Sequence, residues 1–176
     1  MTPATYSARE KLRDGRPIEI RALKPDDEAD MLVAIDRTAA ESRRRRFFVS
    51  KRGFSEKEKA FFLNVDFVNH VALVATIDEG GRRTIVGGGR YIVTGPGKAE
   101  VAFVVIDAYQ GQGIGAMLTR HLASLARAAG LNELAADVLP ENAAMRKVLG
   151  KFGFEAGRSH DPQVIHMTLP LTESSQ

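Results

Sequence analysis

An α+β fold, built on one mixed and mostly antiparallel sheet, is predicted by three features of the chain. Its middle alternates apolar and polar residues between tight turns, its second half switches to helical spacing, and a glycine-rich turn stands between two such patterns. Short turns impose antiparallel pairing, whereas a strand reached through a helical crossover pairs in parallel. Taken together, the segments give a six- to seven-stranded sheet flanked by about four helices.

The elements follow in order. Residues 1–15 are polar and charged and read as a flexible N-terminal segment, and Ile18 and Ile20 then alternate within a first strand, Arg16–Ala22. Pro25-Asp26-Asp27 starts a helix with acids in its first turn, where the peptide dipoles favour them, and Met31, Leu32, Ile35 and Ala39 recur at helical spacing. A second helix is expected from Ser55, because Ser55 and Glu58 have the spacing of a capping box; Phe61 and Phe62 on the next turn suit core packing. Val71–Ile77 and Thr84–Val93 form antiparallel strands joined at Asp78-Glu79-Gly80-Gly81, and Lys98–Ile106 follows the turn Gly95-Pro96-Gly97. Ile114, Leu118, Leu122 and Leu125 share one face of a helix over Gly113–Ala129, which ends at Gly130 and leads to the strand Glu133–Val138. Another helix covers Asn142–Gly150, and Phe152-Gly153-Phe154 opens a strand that pairs with Gln163–Leu169. No repeat or linker interrupts this order, so residues 16–170 read as a single domain and 171–176 as a tail.

Composition narrows the function. The chain has no Cys, which excludes disulfide and thiolate chemistry, and its four His (His70, His121, His160, His166) lack metal-ligand spacing, so no metal is expected. There is no apolar run of about 18 residues or more and no signal-like start, so the chain reads as soluble and cytoplasmic, with no membrane partner. The net charge of +3 is uneven: residues 1–60 hold fifteen Lys/Arg against eleven Asp/Glu, and Arg43, Arg44, Arg45 and Arg46 supply much of that excess. Those arginines are compatible with a solvated face, with docking of an acidic protein, or with contacts to ligand phosphates. Nucleic acid is not expected, because four consecutive arginines cannot face one way on a helix and no aromatic residues interleave them.

The glycine-rich turn is the most specific motif. Val104 to Gly115 reads V-V-I-D-A-Y-Q-G-Q-G-I-G, a strand running into a turn and then a helix start, which together make an anion cradle. No Lys follows Gly115 as a P-loop requires, and G-x-G-x-G is not Rossmann spacing. Backbone N–H groups of Gln110, Gly111, Gln112, Gly113, Ile114 and Gly115 can converge on a pyrophosphate, with glycine needed where a Cβ would hold the phosphates away. A tightly packed turn without a ligand is the alternative. The stretch fits [Gln/Arg]-x-x-Gly-x-[Gly/Ala], and here the chain resembles the GNAT superfamily of N-acetyltransferases, in which that pattern wraps the pyrophosphate of acetyl-coenzyme A.

Further segments extend the resemblance over Ile18 to about Leu169. Leu139-Pro140-Glu141-Asn142-Ala143-Ala144-Met145, followed by Leu149-Gly150-Lys151-Phe152-Gly153-Phe154, looks like the second block of that superfamily. Glu41-Ser42-Arg43, Arg46-Phe47-Phe48, Val71–Ala75, Ala99–Val105 and Val138–Asn142 are similar to the acetyltransferase domain of bacterial protein lysine acetyltransferases, which modify acyl-coenzyme A synthetases and other proteins. The resemblance implies acetyl-coenzyme A as cosubstrate, coenzyme A as product and a protein lysine as acceptor. It also implies a sheet splayed between its fourth and fifth strands, where backbone groups around Phe103, Val104 and Val105 pair with the pantetheine arm. Such enzymes often carry a synthetase-like or cyclic-nucleotide-binding domain, and 176 residues leave room for neither, so regulation of that kind is not expected here.

Acyl transfer to an amine calls for a base, since a lysine ammonium has no free lone pair at neutral pH. Glu100 stands in the apolar strand Ala99–Val105, on the same side as Ala102 and Val104, where a carboxylate is costly unless hydrated, paired or functional. By itself it reads as a rim residue, a partner of Arg90 or a base; the resemblance implies the base, with the Val105 N–H as donor to the thioester oxygen. Many superfamily members place a Tyr seven residues after the Asn, but Leu149 stands there and has no proton to give, which leaves the substrate amine or water as proton source for the thiolate. Asn142, with Met145 on the next turn, contacts the pantetheine or serves only as a helix cap. Asp66, Asn69 and His70 border the acceptor mouth, although His70 also reads as an ordinary surface histidine. Two other functions fit the same residues: a small-molecule amine or antibiotic acetyltransferase, and a non-catalytic acyl-coenzyme A sensor, which would need no Glu100.

Overall fold

Alternation in the middle of the chain becomes a meander of long strands. The structure, a computed structural model, describes residues 3–36, 65–157 and 163–171. Its strands are β1 (Ser7–Lys11), β2 (Pro17–Ala22), β3 (His70–Glu79), β4 (Arg82–Gly95), β5 (Lys98–Val105), β6 (Glu133–Val138), β7 (Glu155–Gly157) and β8 (Ile165–Pro170). The α-helices are α1 (Glu28–Asp36), α2 (Ile114–Ala128) and α3 (Ala143–Phe152), and short 3-10 turns at Pro25–Asp27 and Asp107–Tyr109 precede the first two. One sheet takes the order β1-β2-β3-β4-β5-β6-β8-β7. Among the described residues only β5 and β6 pair in parallel, joined by the crossover helix α2. The helix expected from Ser55, and Arg43 to Arg46, lie outside the described residues.

Among the described residues the sheet has eight strands rather than six or seven. The additional one is β1, which falls in the segment expected to be flexible and pairs with β2 from Ser7↔Arg21 to Lys11↔Pro17. An edge strand needs only one hydrogen-bonded neighbour and tolerates charge, so S-A-R-E-K carries no apolar signature. Side chains hold it to α2. The Glu10 carboxylate meets His121 Nε2 at 2.6 Å and also Arg120, while the Tyr6 hydroxyl meets His121 Nδ1. Burial pushes the Glu10 carboxyl up, but the hydrogen bonds to His121 and Arg120 outweigh it and leave it below its ordinary range.

A second boundary differs. Phe152 ends α3 instead of opening a strand, because Gly153 takes a left-handed conformation (φ 113°) and closes the helix. The Phe154 N–H then returns to the Leu149 carbonyl at 2.9 Å and the Gly153 N–H to Gly150 at 3.1 Å, so the next strand starts only at Glu155.

Strand registers divide the side chains between two faces of the sheet. One face presents Leu73, Tyr91, Val101, Phe103 and Leu134 to the core, and α2 lies across it through Ile114, Leu118, Leu122 and Leu125, all buried as their spacing predicts. The helix can settle because β4 has glycines beneath it. A Cβ on Gly87 would lie 3.0 Å from the Val104 carbonyl oxygen and 3.2 Å from Ile114 Cγ2, and one on Gly89 would lie 2.8 Å from Phe103 Cδ1. The other face gathers His70, Arg90, Ala102, Glu100, Asp137 and His166.

This seating predicts opposite effects at two glycines. Gly87→Val overpacks the contact under the first residue of α2 and should cost about 1–3 kcal/mol, lowering the melting temperature by several degrees. Gly115→Ala, inside α2 with no atom within 4 Å of the added Cβ, should raise stability by roughly 0.4–1 kcal/mol. Thermal melts of both variants check this, and a Gly87→Val protein that melts like the parent would show that the helix is not seated on Gly87.

Candidate active site

The start of α2 is prepared to receive an anion. Its N-cap is Gly113, in a left-handed conformation (φ 90°, ψ 7°) and with no side chain to cap the first-turn N–H groups. The turn before it is held at both ends. Gln110 Nε2 donates to the Val105 carbonyl at 3.2 Å, fixing the loop to the end of β5. From the turn between β1 and β2, the Arg13 N–H donates to the Gln112 carbonyl at 3.3 Å and Arg13 Nη1 to the Gly111 carbonyl at 3.1 Å. A trans peptide sets each N–H opposite the preceding carbonyl, so the amides of Gln112 and Gly113 point away from Arg13. Nothing lies within 4 Å of a Cβ built on Gly111 or Gly115, and only side-chain ends, at 3.8 Å, lie near one on Gly113. Close packing within the described protein therefore does not demand these glycines; the left-handed backbone of Gly111 (φ 86°) and Gly113 does, and the space beside all three is open to a ligand. The Ile114 side chain is buried, leaving its backbone for the cradle.

Beside the cradle the sheet opens. The parallel ladder between β5 and β6 comprises Lys98↔Glu133, Ala99↔Leu134 and Glu100↔Ala135, and past these residues a cleft forms between Val101, Ala102 and Phe103 on one side and Ala136 and Val138 on the other. This is the splay between Lys98–Ile106 and Glu133–Val138. The Ile106 N–H donates to the Val86 carbonyl on β4 at 3.0 Å, so alternation turns the backbone of Val104 toward β4 and that of Phe103 and Val105 toward the cleft. Val104 thus offers the cleft no backbone group of its own.

Asn142 and Met145 line the same cleft from the start of α3. Asn142 Oδ1 caps the helix, accepting from the Met145 N–H at 3.3 Å, while its Nδ2 is buried without a partner among the described residues. The two readings of Asn142 are thus compatible: one atom caps and the other is left to donate. Leu149 is fully buried beneath them.

The titratable groups stand on the opposite face from α2. Arg90 pairs with His70 and not with Glu100 in the interactions seen: Arg90 Nη1 lies 2.8 Å from His70 Nε2, and burial pushes the guanidinium pKa down to about 9. His70 is buried, contrary to the surface reading, because β3 begins with it and turns it inward. Asp66 Oδ1 accepts the N–H groups of Val68, Asn69 and His70, each at 2.9 Å, and these bonds hold its carboxyl below the ordinary range. Asp66 therefore shapes the turn into β3, with Asn69 exposed within it. Glu100 reaches solvent beside the cleft. Burial raises its carboxyl above the ordinary range, Asp137 raises it further, and His166 opposes them. Arg13, Asp137 and His166 were not singled out from sequence. An acid in the apolar run E-L-A-A-D-V offered the same signal as Glu100, but its neighbours depend on the register of three strands.

The model of the acetyltransferase (GNAT) family matches residues 23–154. The chain is 33% identical over 160 residues to Acetyltransferase PA5475 of Pseudomonas aeruginosa, covering 89% of this chain and 86% of that protein. It is 32% identical over 145 residues to Acetyltransferase Pat of Mycolicibacterium smegmatis, covering 81% of this chain but only 43% of that longer protein. The crystal structure of the GNAT domain of S. lividans PAT superposes with a TM-score of 0.85 at 35% identity, covering 93% of this chain and 96% of the other. Helix-start amides next to a parted strand pair suit a pyrophosphate and the arm that extends from it, and with this match the chain belongs to the acetyltransferase (GNAT) family, as an acyltransferase whose cosubstrate is acetyl-coenzyme A.

Proposed function

We propose that this acyltransferase acetylates the side-chain amine of a protein lysine by direct attack, with Glu100 as general base. The observation that carries the reading is a carboxylate of raised proton affinity, set beside the opening of the β5–β6 cleft and open to solvent. Similarity to Acetyltransferase Pat and to the PAT domain supports a protein acceptor, for which an acyl-coenzyme A synthetase is the expected class, met in the cytoplasm.

The residues present fit the cosubstrate: open space beside Gly111, Gly113 and Gly115 admits phosphate, and the unpartnered Asn142 Nδ2 can donate to a pantetheine carbonyl. When bound, acetyl-coenzyme A supplies an acyl group activated as a thioester. Amides from Gln112 to Gly115 and the positive end of α2 hold the pyrophosphate. Backbone groups of Phe103 and Val105 pair with the arm in the manner of an added strand, and the Val105 N–H also polarises the acyl oxygen. Glu100 removes a proton from the lysine ammonium and frees its lone pair for attack on the acyl carbon. Leu149 has no proton to give, so the departing thiolate takes one from the substrate amine or from water. Incubating a cell lysate with the protein and labelled acetyl-coenzyme A, and mapping acetylated lysines by mass spectrometry, tests the acceptor class. Label found only on small amines would overturn it.

Three variants separate the parts. Gly113→Glu places a carboxylate where phosphate is received and strains a left-handed position, so calorimetry should show saturable acetyl-coenzyme A binding for the parent and none for the variant. Equal binding by both would remove the cradle from the site. Glu100→Gln should keep coenzyme affinity and lose roughly 10²–10⁴-fold in transfer rate. Because Glu100 acts as a base only when ionised and its pKa is raised, the parent's rate should fall on acidification at a higher pH than an ordinary carboxylate would dictate; a loss below about fivefold for the Gln variant would place the base elsewhere. Replacing Arg43 to Arg46 by Ser should lower kcat/KM for a protein acceptor and flatten its salt dependence, leaving coenzyme binding intact. Equal rates and salt slopes would mean that these arginines only face solvent.

A further inference from the structure

The face that carries Glu100 holds a second acid and a histidine that the proposed reaction does not use. Glu100 pairs with Ala135 across the last step of the parallel ladder, and Asp137 follows two residues on, directed to the same face at the point where the strands part. Asp137 in turn pairs with His166 of β8, and His166 Nδ1 lies 2.7 Å from Asp137 Oδ1. The strand registers put the three side chains on one face in the order Glu100, Asp137, His166 across β5, β6 and β8, and Asp137 acts to raise the Glu100 carboxyl. The Asp137 charge on the next strand makes ionisation of Glu100 less favourable, and a proton taken up by Glu100 relieves that repulsion. The Asp137 and His166 side chains keep about a third of their surface exposed, 33% and 36%, so the line ends in solvent.

We propose that Asp137 and His166 are positioning residues for Glu100: His166 orients the Asp137 carboxylate against Glu100, and the proton that Glu100 takes from the substrate ammonium is shared between the two carboxyl groups before it leaves to solvent. The balance is simple. The ammonium N–H bond breaks as a Glu100 O–H bond forms, and the amine lone pair forms the bond to the acyl carbon as the bond to sulfur breaks. The nitrogen gives up a second proton while the departing thiolate takes one from it or from water to leave as the coenzyme A thiol, and the proton on Glu100 is the one lost to solvent per turnover. The inference rests on the reading of Glu100 as base.

Among the described residues, other charged groups on this face stand on the strands around Glu100, with Glu19 and Arg21 farther off on β2. Lys98 precedes Glu100 on its own strand, Arg90 lies on β4 and is held by His70 of β3, Glu133 begins β6, and Glu155 of β7 lies beyond β8. Among the described residues, Asp137 raises the Glu100 carboxyl and His166 lowers it. That opposition separates a positioning role from a structural one.

The test needs no acceptor. Carbon-13 NMR of labelled glutamate carboxyl groups, with the Glu100 signal assigned by its loss in Glu100→Gln, gives the titration midpoint of Glu100 in the full chain. Asp137→Asn removes the repelling charge and should move that midpoint down by roughly one pH unit, whereas His166→Gln removes the opposing influence and should move it up. Acetyl-coenzyme A calorimetry confirms that each variant is folded, and His166→Gln decides alone if Asp137→Asn does not fold. A midpoint unmoved in both, or moved the same way in both, overturns the inference and leaves the base reading untouched. Unchanged transfer by Glu100→Gln would instead overturn the base reading, and this inference with it.

Discussion

Between β5 and β6 the parallel ladder closes only from Lys98↔Glu133 to Glu100↔Ala135, and the strands then part. Backbone N–H and C=O groups in a sheet interior require partners, so leaving those of Phe103 and the N–H of Val105 facing a cleft is unfavourable unless water or a strand-like ligand satisfies them, the Val105 carbonyl already accepting from Gln110. The site follows from this gap. The cleft exists because the ladder ends there, the end of β5 is free to turn into the amide cradle, and Asn142 reaches the opening from the start of α3. Parting the strands at Glu100 also sets Asp137 beside it at the edge of the opening rather than beneath a closed sheet.

The gap is kept in place by rigid parts on either side. On one side α2 is buried along Ile114, Leu118 and Leu122, close to β4 because Gly87 and Gly89 have no side chains to hold it off. Its first turn is therefore fixed relative to the end of β5, and Gln110 and Arg13 hold the intervening loop from opposite directions. On the other side β6 is paired along its whole length with β8, from Glu133↔Pro170 to Val138↔Ile165, so it cannot swing inward to close the ladder. The two faces of the sheet thus have separate duties. The apolar face seats the helix that receives the anion, and the other carries the buried Arg90–His70 pair and the row of acid and imidazole groups beside the cleft.

Glu100 and Asp137 are each an acid within an apolar strand. A carboxylate on a half-buried strand face carries a desolvation cost that hydration or a partner must offset. For Glu100 solvent offsets part of it while Asp137 adds to it, so the carboxyl is raised above its ordinary range; for Asp137 the partner is His166 at 2.7 Å. Arg90, a strand neighbour that suggested an ion pair with Glu100, is held by His70 instead, since Ile92 and not Arg90 stands directly opposite Glu100 in the register.

Local chemistry made much of the molecule legible from sequence. The meander, the helix behind the glycine turn and its buried face, and the acid at Glu100 all follow from period and turn residues, which act over a few positions of the chain. The motif from Gln110 to Gly115 was legible for the same reason: its backbone geometry is set by its own glycines. Tertiary structure decided the rest. β1 was invisible because an edge strand takes its stability from β2 and from His121, more than a hundred residues away, and not from an apolar pattern of its own. The burial of His70, the brace from Arg13 and the line from Glu100 to His166 likewise depend on which strands lie side by side and in what register, a choice made by the packing of the whole sheet and beyond the reach of any local segment.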